Sequence, residues 1–530
     1  MERHCEDRSD MDFFSEVRVR SDSQGSTGSC GKFVLRQRVA QLMTCMEDVS
    51  SDDDLQEELS RSIDQAFLIC GKKMPPKMQD FRMHIITWNV GTASPPRELS
   101  SLLLLDSSSS NVDLYVIGLQ EVNSKVVNFL SDLAFDDPWS LFLMDVLAPL
   151  GYVKLSSIRM QGLLLLAFVK HKHIPFIQDI RTNYIRTGLY GYWGNKGGVT
   201  IRMSVYGHML CFMNCHLPAH MENTNQRLDD FERMLEAQQF DGESIGSILD
   251  HDVVFWFGDL NFRIADFGIH FIREVVNSNR YNLLWEKDQL NIAKKKERFL
   301  QGFLEGPLKF KPTYKFDLNS DVYDTSGKKR KPAWTDRILW RLKEDSENEL
   351  DEAAASDFEQ ILKINLEKYT SHMSFGISDH KPVTGTFTLQ MKPLILEPSV
   401  TLRAEGEWNA DHDSLISYTV SKDFPSSTWD WIGLYKAGFR HTNDYVTYAW
   451  VKDDEISFSK DCSQVYINAD EIPLDGGEFL LGYFCHNLQC LAGISDPFQI
   501  QPGRILSSKE GTEEKNDDST KSDMFMGAGF

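Results

Sequence analysis

Between Met83 and about Met391 short apolar runs alternate with longer mixed stretches, which predicts an α/β chain of strands interleaved with helices. The clearest runs are Met83 to Trp88, Leu114 to Leu119, Leu163 to Val169, Val199 to Met203, Met209 to Asn214 and Val253 to Phe257. Met373 to Ile377 reads as one more. Polar clusters sit at the ends of these runs: Thr87-Trp88-Asn89-Val90, Gly118-Leu119-Gln120-Glu121, Trp256-Phe257-Gly258-Asp259-Leu260-Asn261-Phe262-Arg263 and Ser378-Asp379-His380-Lys381-Pro382-Val383. A carboxylate at the tip of a buried strand costs free energy unless it has a partner or a task. Clusters of this kind at several strand ends point to one polar site at the edge of a sheet sandwich.

The pattern also divides the chain. Residues 1–80 read as an N-terminal extension whose first 30 or so, rich in Ser, Asp, Arg and Gly, are expected to be disordered. Phe33 to Leu68 reads as two short amphipathic helices broken at Ser50 to Asp54. Residues 81–392 form the α/β part, with the acidic stretch Glu344 to Asp357 as an exposed loop. Lys392 to Pro398 is a linker, and from 393 to 502 short β runs recur without helices. These are Ser417 to Val420, Trp431 to Tyr435, Tyr445 to Val451, Gln464 to Ile467, Phe479 to Phe484 and Phe498 to Ile500, and they predict a small immunoglobulin-like β-sandwich. Residues 503–530 are a polar tail, expected to be disordered.

At 530 residues, 41% hydrophobic and 25% charged, the composition is that of a soluble globular chain of more than one domain. No apolar run reaches the roughly 20 residues of a membrane span, so no transmembrane segment is expected. Charge from Glu2 onward argues against a secretory signal. Nine scattered cysteines suggest free thiols in a reducing cytoplasm. The net charge of −22 argues against nucleic acid as a partner, and any anionic substrate must be met by a local basic patch. One exists at Lys328-Lys329-Arg330-Lys331.

Several residues could carry chemistry. Glu121 and Asn89, a carboxylate and an amide, suit Mg²⁺, a hard cation that prefers oxygen ligands; a helix cap or surface charge is the plainer reading of a lone Glu. Asp259 and Asn261 are two apart, so on an extended segment they share a face and could orient a water and hold an electrophile's oxygen; an Asx-turn is the alternative. Asp379-His380 could supply a carboxylate and an imidazole, and Asp336 could fix that imidazole's tautomer and hold it cationic. His216 ends the Met209 run. Cys211, Cys215, His216 and His220 do not read as a zinc knuckle, because the cysteines lie within a strand. Asp317 to Asp321 resembles the start of a calcium loop, but Lys328 stands where the closing Glu belongs. The glycine-rich loop Gly191 to Gly198 lets Lys196 and backbone N–H groups approach an anion, or is a flexible hairpin. Thr313-Tyr314-Lys315-Phe316 and Lys328 to Lys331 flank a loop that would close over the same strand ends.

Together these segments resemble the inositol polyphosphate 5-phosphatase family over about residues 83–390. The most specific marks are Trp256 to Arg263, Pro332-Ala333-Trp334-Thr335-Asp336-Arg337-Ile338-Leu339, and Ser378 to Val383. Phe262 and Thr335 stand where the family often has Tyr and Cys, and neither change removes a catalytic group. Trp429-Asp430-Trp431-Ile432-Gly433-Leu434-Tyr435-Lys436 resembles the SKICH domain, which narrows the likeness to the branch that pairs the two.

The resemblance implies a four-layer α/β sandwich of the endonuclease/exonuclease/phosphatase kind, followed by the β-sandwich. It implies Mg²⁺ at Glu121 and Asn89, with Asp259 activating a water and Asn261 and His216 holding the scissile phosphate. His380, oriented by Asp336, would stabilise the equatorial oxygens, and Asp379 would support metal and water. Contacts to a 4-phosphate map onto Tyr314, Lys315, Lys328 and Arg330, and Lys196 onto the loop facing the ring or its 1-phosphate. The implied substrates are phosphatidylinositol 4,5-bisphosphate, the 3,4,5-trisphosphate and their soluble head groups. Removal of the 5-phosphate would dampen phosphoinositide 3-kinase and insulin-type signalling and lipid-dependent actin events. The expected location is cytoplasmic, peripheral to the endoplasmic reticulum or plasma-membrane ruffles, with a protein partner for the SKICH-like domain. The rivals are a nuclease or sphingomyelinase of the same fold, disfavoured by Gly191 to Gly198 and the basic patch, and an inactive scaffold, disfavoured by the full set of catalytic groups.

Overall fold

The computed structural model describes residues 77–106, 111–122, 137–188, 195–237, 240, 246–343, 362–451, 456–459 and 462–503. The helices expected before Leu68, the acidic loop, Gly191 to Gly194 and the tail from 504 lie outside the described residues. The α/β part contains strands β1 (Gln79–Asn89), β2 (Leu114–Gln120), β3 (Tyr152–Met160), β4 (Leu163–Lys170), β5 (Ile177–Arg186) and β6 (Gly197–Val205). It continues with β7 (His208–His216), β8 (Val253–Asp259), β9 (Leu304–Glu305), β10 (Asp336–Leu342), β11 (Leu362–Ser371) and β12 (Val383–Met391). They form two six-stranded sheets, ordered β11-β12-β1-β2-β4-β3 and β5-β6-β7-β8-β10-β9.

Each sheet has one parallel pair at its centre, β1 with β2 and β7 with β8, and antiparallel neighbours on both sides. The central strands are buried on both faces, which is why they read as continuous apolar runs rather than alternating ones. Ile85, Val116, Leu165, Ile201, Phe212, Phe255 and Phe387 fill the space between the sheets. The outer face of the first sheet carries Trp88, Ile117 and Leu119, packed with Trp139, Leu143 and Leu147 of α1 (Pro138–Leu147). The outer face of the second carries Met213, Val254 and Trp256 under Phe231 and Met234 of α2 (Thr224–Ala237) and Leu290 of α3 (Gln289–Lys296). The result is the four-layer α/β sandwich of the endonuclease/exonuclease/phosphatase fold. The sheets approach closely at Gly118, where a Cβ would lie 2.5 Å from the Phe257 ring.

Two expectations change. From β3 to β7 consecutive strands pair antiparallel, except β4 and β5, which the 3₁₀ helix His171–Phe176 joins, so no α-helix alternates with strands there. Met373 to Ile377 is not a strand but a turn between β11 and β12, and Ser378 to Val383 therefore leads into a strand instead of ending one. The buried Lys381 ammonium donates to the Met373 and Phe375 carbonyls, both at 2.9 Å, and so supplies what a partner strand would have.

The C-terminal part is a β-sandwich. Its strands are β13 (Val400–Glu405), β14 (Ser414–Val420), β15 (Trp431–Lys436), β16 (Tyr445–Trp450), β17 (Ile456–Ser459), β18 (Cys462–Ile467), β19 (Gly477–Cys485), β20 (Cys490–Ile494) and β21 (Phe498–Ile500). One sheet runs β13-β14-β18-β17 and the other β16-β15-β19-β20, with β21 on β19. Strands β13, β17 and β20 were not legible as runs. The linker is packed down, its Leu394 and Ile395 N–H groups donating to the Tyr206 carbonyl at 2.9 and 3.2 Å. The sandwich touches the α/β part through Lys154 N–H on the Arg440 carbonyl (2.9 Å) and the His171 ring on Phe439 (4.6 Å). His171 follows β4, whose end pairs with the start of β2, so these contacts lie at the pole away from the C-terminal ends of β1 and β2.

Candidate active site

Parallel pairing fixes where the polar strand ends meet. Asn89 closes β1 and Glu121 follows β2, while His216 closes β7 and Asp259 closes β8 in matched register. Strand β10 runs antiparallel to β8 and begins at Asp336, directly across from Asp259. Strand β12 runs antiparallel to β1, so the residues just before it, including His380, return to the same edge. Gly258 permits the last step: it sits at φ 140°, and a Cβ there would lie 2.0 Å from the Cys215 carbonyl oxygen. Half of the cluster therefore comes from each sheet.

Asp259 is at the centre. Its Oδ2 accepts a hydrogen bond from Asn89 Nδ2 at 3.0 Å and lies 3.3 Å from His216 Nε2 and 3.9 Å from His380 Nε2. Its Oδ1 accepts the Asn261 N–H at 3.2 Å. Burial alone would raise the proton affinity of this carboxyl, but His380, His216 and Lys196 outweigh it and hold the group well below the usual carboxylate range. Glu121 Oε1 lies 3.8 Å from His216 Nε2. Glu121, Asp259 and His380 are thus joined by a chain of contacts, Glu121 to Asp259 through His216 and Asp259 to His380 directly.

His380 is buried, which by itself would favour the neutral ring. Asp336, with Nδ1 3.0 Å from its Oδ2, and Asp259 reverse that and push its pKa up to about 9. Asp336 is fully buried and its Oδ2 also accepts from Thr313 Oγ1 (2.6 Å) and Thr335 Oγ1 (2.8 Å). Trp88 Nε1 donates to the His380 carbonyl, and Ser378 Oγ donates to the Asn89 carbonyl. The imidazole is thereby fixed in place and charge.

The remaining residues fall into two groups. Lys196 comes inside the cluster, its Nζ 2.5 Å from His216 Nε2, closer to the centre than a ring-facing loop would require. Burial lowers its pKa against the opposing pull of Asp259 and Glu121. Asn261 is buried, with Nδ2 on the Leu217 carbonyl at 3.0 Å. Tyr314 pairs by backbone with His380. Asp379 is ion-paired with Lys315. Lys328 is exposed and Arg330 half-buried on a loop pinned by the Arg330 N–H to Asp324 Oδ2 (2.6 Å), outside the hydrogen-bonded cluster.

Sequence reasoning gave no role to Arg263, Thr313, Thr335 or Ser378. Arg263 bonds the side-chain oxygen of Asn261 and, through Nε at 3.1 Å, its carbonyl. Arg263 closes the strand-end motif Trp256 to Arg263, and its place beside Asn261 there was the signal that could have found it.

The donor set fits a hard divalent cation: the Glu121 and Asp259 carboxylates both face His216 Nε2, and Asn89, whose Nδ2 donates to Asp259, adds an amide oxygen with a second lone pair beyond the one that accepts the Gly91 N–H. Asp259, Asp336 and His380 also offer ligand atoms within 4.8 Å of one another. There Asp336 is already committed to two hydroxyls and an imidazole, so the Glu121 side, with its carboxylate 41% exposed, is the better cation site.

Residues 86–386 match the sequence family described as Endonuclease/Exonuclease/phosphatase family 2, and residues 400–500 match the SKICH domain. Inositol polyphosphate 5-phosphatase K of Mus musculus is 53% identical over 425 residues, covering 80% of this chain and 91% of that one. The chain belongs to the inositol polyphosphate 5-phosphatase family. A second family member, phosphatidylinositol 4,5-bisphosphate 5-phosphatase A of Homo sapiens, is 48% identical over 83% of this chain, which spans 44% of that longer protein. The inositol polyphosphate 5-phosphatase domain of a synaptojanin, solved with inositol (1,4)-bisphosphate and a calcium ion, superposes with a TM-score of 0.50 at 28% identity, covering 64% of this chain and 93% of that one. The chain is accordingly an enzyme, an inositol polyphosphate or phosphoinositide 5-phosphatase with a SKICH-type β-sandwich.

Proposed function

We propose that this 5-phosphatase hydrolyses the 5-phosphate of phosphatidylinositol 4,5-bisphosphate and the 3,4,5-trisphosphate, and of their soluble head groups, with Mg²⁺ as its ion. The observation that carries the reading is the convergence of Asn89, Glu121, His216, Asp259, Asn261 and His380 on one strand edge, with Asn89, His216, Asn261 and His380 around the Asp259 carboxylate and His216 also beside Glu121. Glu121 and Asn89 would hold the ion, which when bound offsets charge on the scissile phosphate. Phosphoryl transfer passes through a loose transition state, so the attacking water needs positioning more than early deprotonation. A carboxylate kept ionised by its neighbours, as Asp259 is, suits that task.

Asn261 and His216 then hold the non-bridging oxygens, and the His380 imidazolium faces the charge that builds on them. Lys196, already against His216, adds a cation to the same oxygens. Asp336 keeps His380 charged, and Asp379 sets the position of Lys315. Lys315, Tyr314, Lys328 and Arg330 form the 4-phosphate contacts. Such a local concentration of cations would bind a polyanion despite the overall charge of −22. Depletion of 5-phosphorylated lipids would make the protein a negative regulator of phosphoinositide 3-kinase signalling at membrane surfaces, with the β-sandwich engaging a protein partner. No described helix is long and apolar enough to cross a membrane.

Phosphate release across a panel of inositol phosphates and lipids, with Mg²⁺ or with chelator, tests this. Release confined to 5-phosphorylated compounds and dependent on Mg²⁺ is expected; equal release from isomers lacking the 5-phosphate would refute it.

A further inference from the structure

One aromatic ring touches both halves of the phosphate-binding machinery. The Tyr314 ring centroid lies 4.4 Å from the Arg263 guanidinium and 4.5 Å from the centroid of the His380 imidazole. Arg263 donates through Nη2 to the Asn261 side-chain oxygen and through Nε to the Asn261 carbonyl. With that oxygen occupied, the Asn261 amide is locked with its NH₂ group turned the other way, one N–H on the Leu217 carbonyl and one free to donate. A chain of contacts therefore runs from Asn261 through Arg263 and Tyr314 to His380 and Asp336. Arg263 is itself anchored, its N–H donating to Gln289 Oε1 at 2.9 Å, an oxygen that also accepts from Arg227.

We propose that Arg263 is a positioning residue that joins the 4-phosphate contact to the scissile-phosphate contacts, so that a 4-phosphate raises kcat and does not merely lower KM. The proposal rests on the reading of Tyr314 as a 4-phosphate contact. A half-buried ring between solvent and the cluster can still shift. An anion bound at its hydroxyl fixes it, and the fixed ring holds both the guanidinium that sets Asn261 and the imidazole that faces the reacting oxygens. Binding energy at a remote group is then realised at the reacting one. Lysine could keep the charge of Arg263 but could not bond both Asn261 oxygens and stack on the ring together.

The test compares kcat and KM for inositol 1,4,5-trisphosphate and inositol 1,5-bisphosphate in the full chain and in Arg263→Lys, Tyr314→Leu and the double variant. In the unaltered protein, loss of the 4-phosphate should lower kcat as well as raise KM. Each single substitution should lower kcat on the trisphosphate about tenfold, the loss expected of one charge-assisted hydrogen bond. Each should also bring the kcat ratio of the two substrates close to one, and the double variant should lose no more than the worse single one. A ratio kept intact in Arg263→Lys, or losses that multiply, would overturn the proposal while leaving the 4-phosphate reading in place. A 4-phosphate that affects only KM in the unaltered protein would do the same, whether or not the variants fold. If the unaltered protein treats both substrates alike, the 4-phosphate reading falls first and this inference with it.

Discussion

His380 Nδ1 lies 3.0 Å from Asp336 Oδ2, a carboxylate oxygen that also accepts from two threonine hydroxyls. The pair is buried, and Asp336 with Asp259 raises the His380 pKa to about 9. A raised folded-state pKa contributes stability that is fully present below the ordinary value of 6.5 and is lost as pH rises through about 9. In chelator-treated protein the His380 ring should titrate near 9 by NMR, and Asp336→Asn should move that titration toward 6.5. A ring that titrates at the same pH in both would refute the role given to Asp336.

Asp259→Asn preserves the volume and the Asn89 contact but removes the charge that His380, His216 and Lys196 face. Phosphate release should fall by two to four orders of magnitude, the range for loss of a positioned acid or base. The thermal unfolding curve should remain cooperative. Near-normal turnover would remove Asp259 from the centre of the mechanism.

Glu121→Gln changes a carboxylate that is 41% exposed, so the fold should tolerate it. The Mg²⁺ concentration for half-maximal activity should rise at least tenfold, while kcat at saturating ion recovers in part. An unchanged Mg²⁺ requirement would place the ion elsewhere.

Lys328 and Arg330 stand outside the hydrogen-bonded cluster, and their substitution by Ala should spare the chemistry. KM should rise for compounds bearing a 4-phosphate and change little for those lacking it. An equal effect on both would deny these residues the 4-phosphate.

Arg337 tests stability, not turnover. Its guanidinium is fully buried between Asp288 (2.9 Å) and Glu305 (2.6 Å). Arg337→Met leaves two buried carboxylates unpaired and should cost about 3–5 kcal/mol in denaturant unfolding. A loss below about 1 kcal/mol would show that the pair is not compensated as its geometry implies.

What could be read from the chain follows from the range of each interaction. Asp259 and Asn261 could be named from their place at the end of the Val253 run, but it is the Asx-turn reading that the structure takes: Asn261 sits at φ 55° and its N–H donates to Asp259 Oδ1. The Asp336 and His380 clusters could be named because each borders apolar residues, although their contact depends on how β10 and β12 return to the edge. Met373 to Ile377 reads as a strand yet is a turn, because apolar content does not separate a strand from a turn that buries one aromatic ring, Phe375, and whose carbonyls find a lysine. Thr313 falls in a segment expected to close over the strand ends, but its bond to Asp336 was beyond reach: it spans 23 residues of irregular chain, and no periodicity marks it. Lys196 was placed in the right loop, but only the pairing of β6 with β7, which sets Gly197 opposite His216, brings it against the imidazole.

The first strand of the phosphatase fold is hydrogen-bonded to the last, Gln79 opposite Met391 and Thr87 opposite Val383. A ribosome must therefore release more than three hundred residues before β12 can complete its pairing with β1 and fix His380 beside Asn89. A chain cut before β12 lacks the strand that carries His380 back to the edge, and phosphate release should begin only once the whole fold has been synthesised.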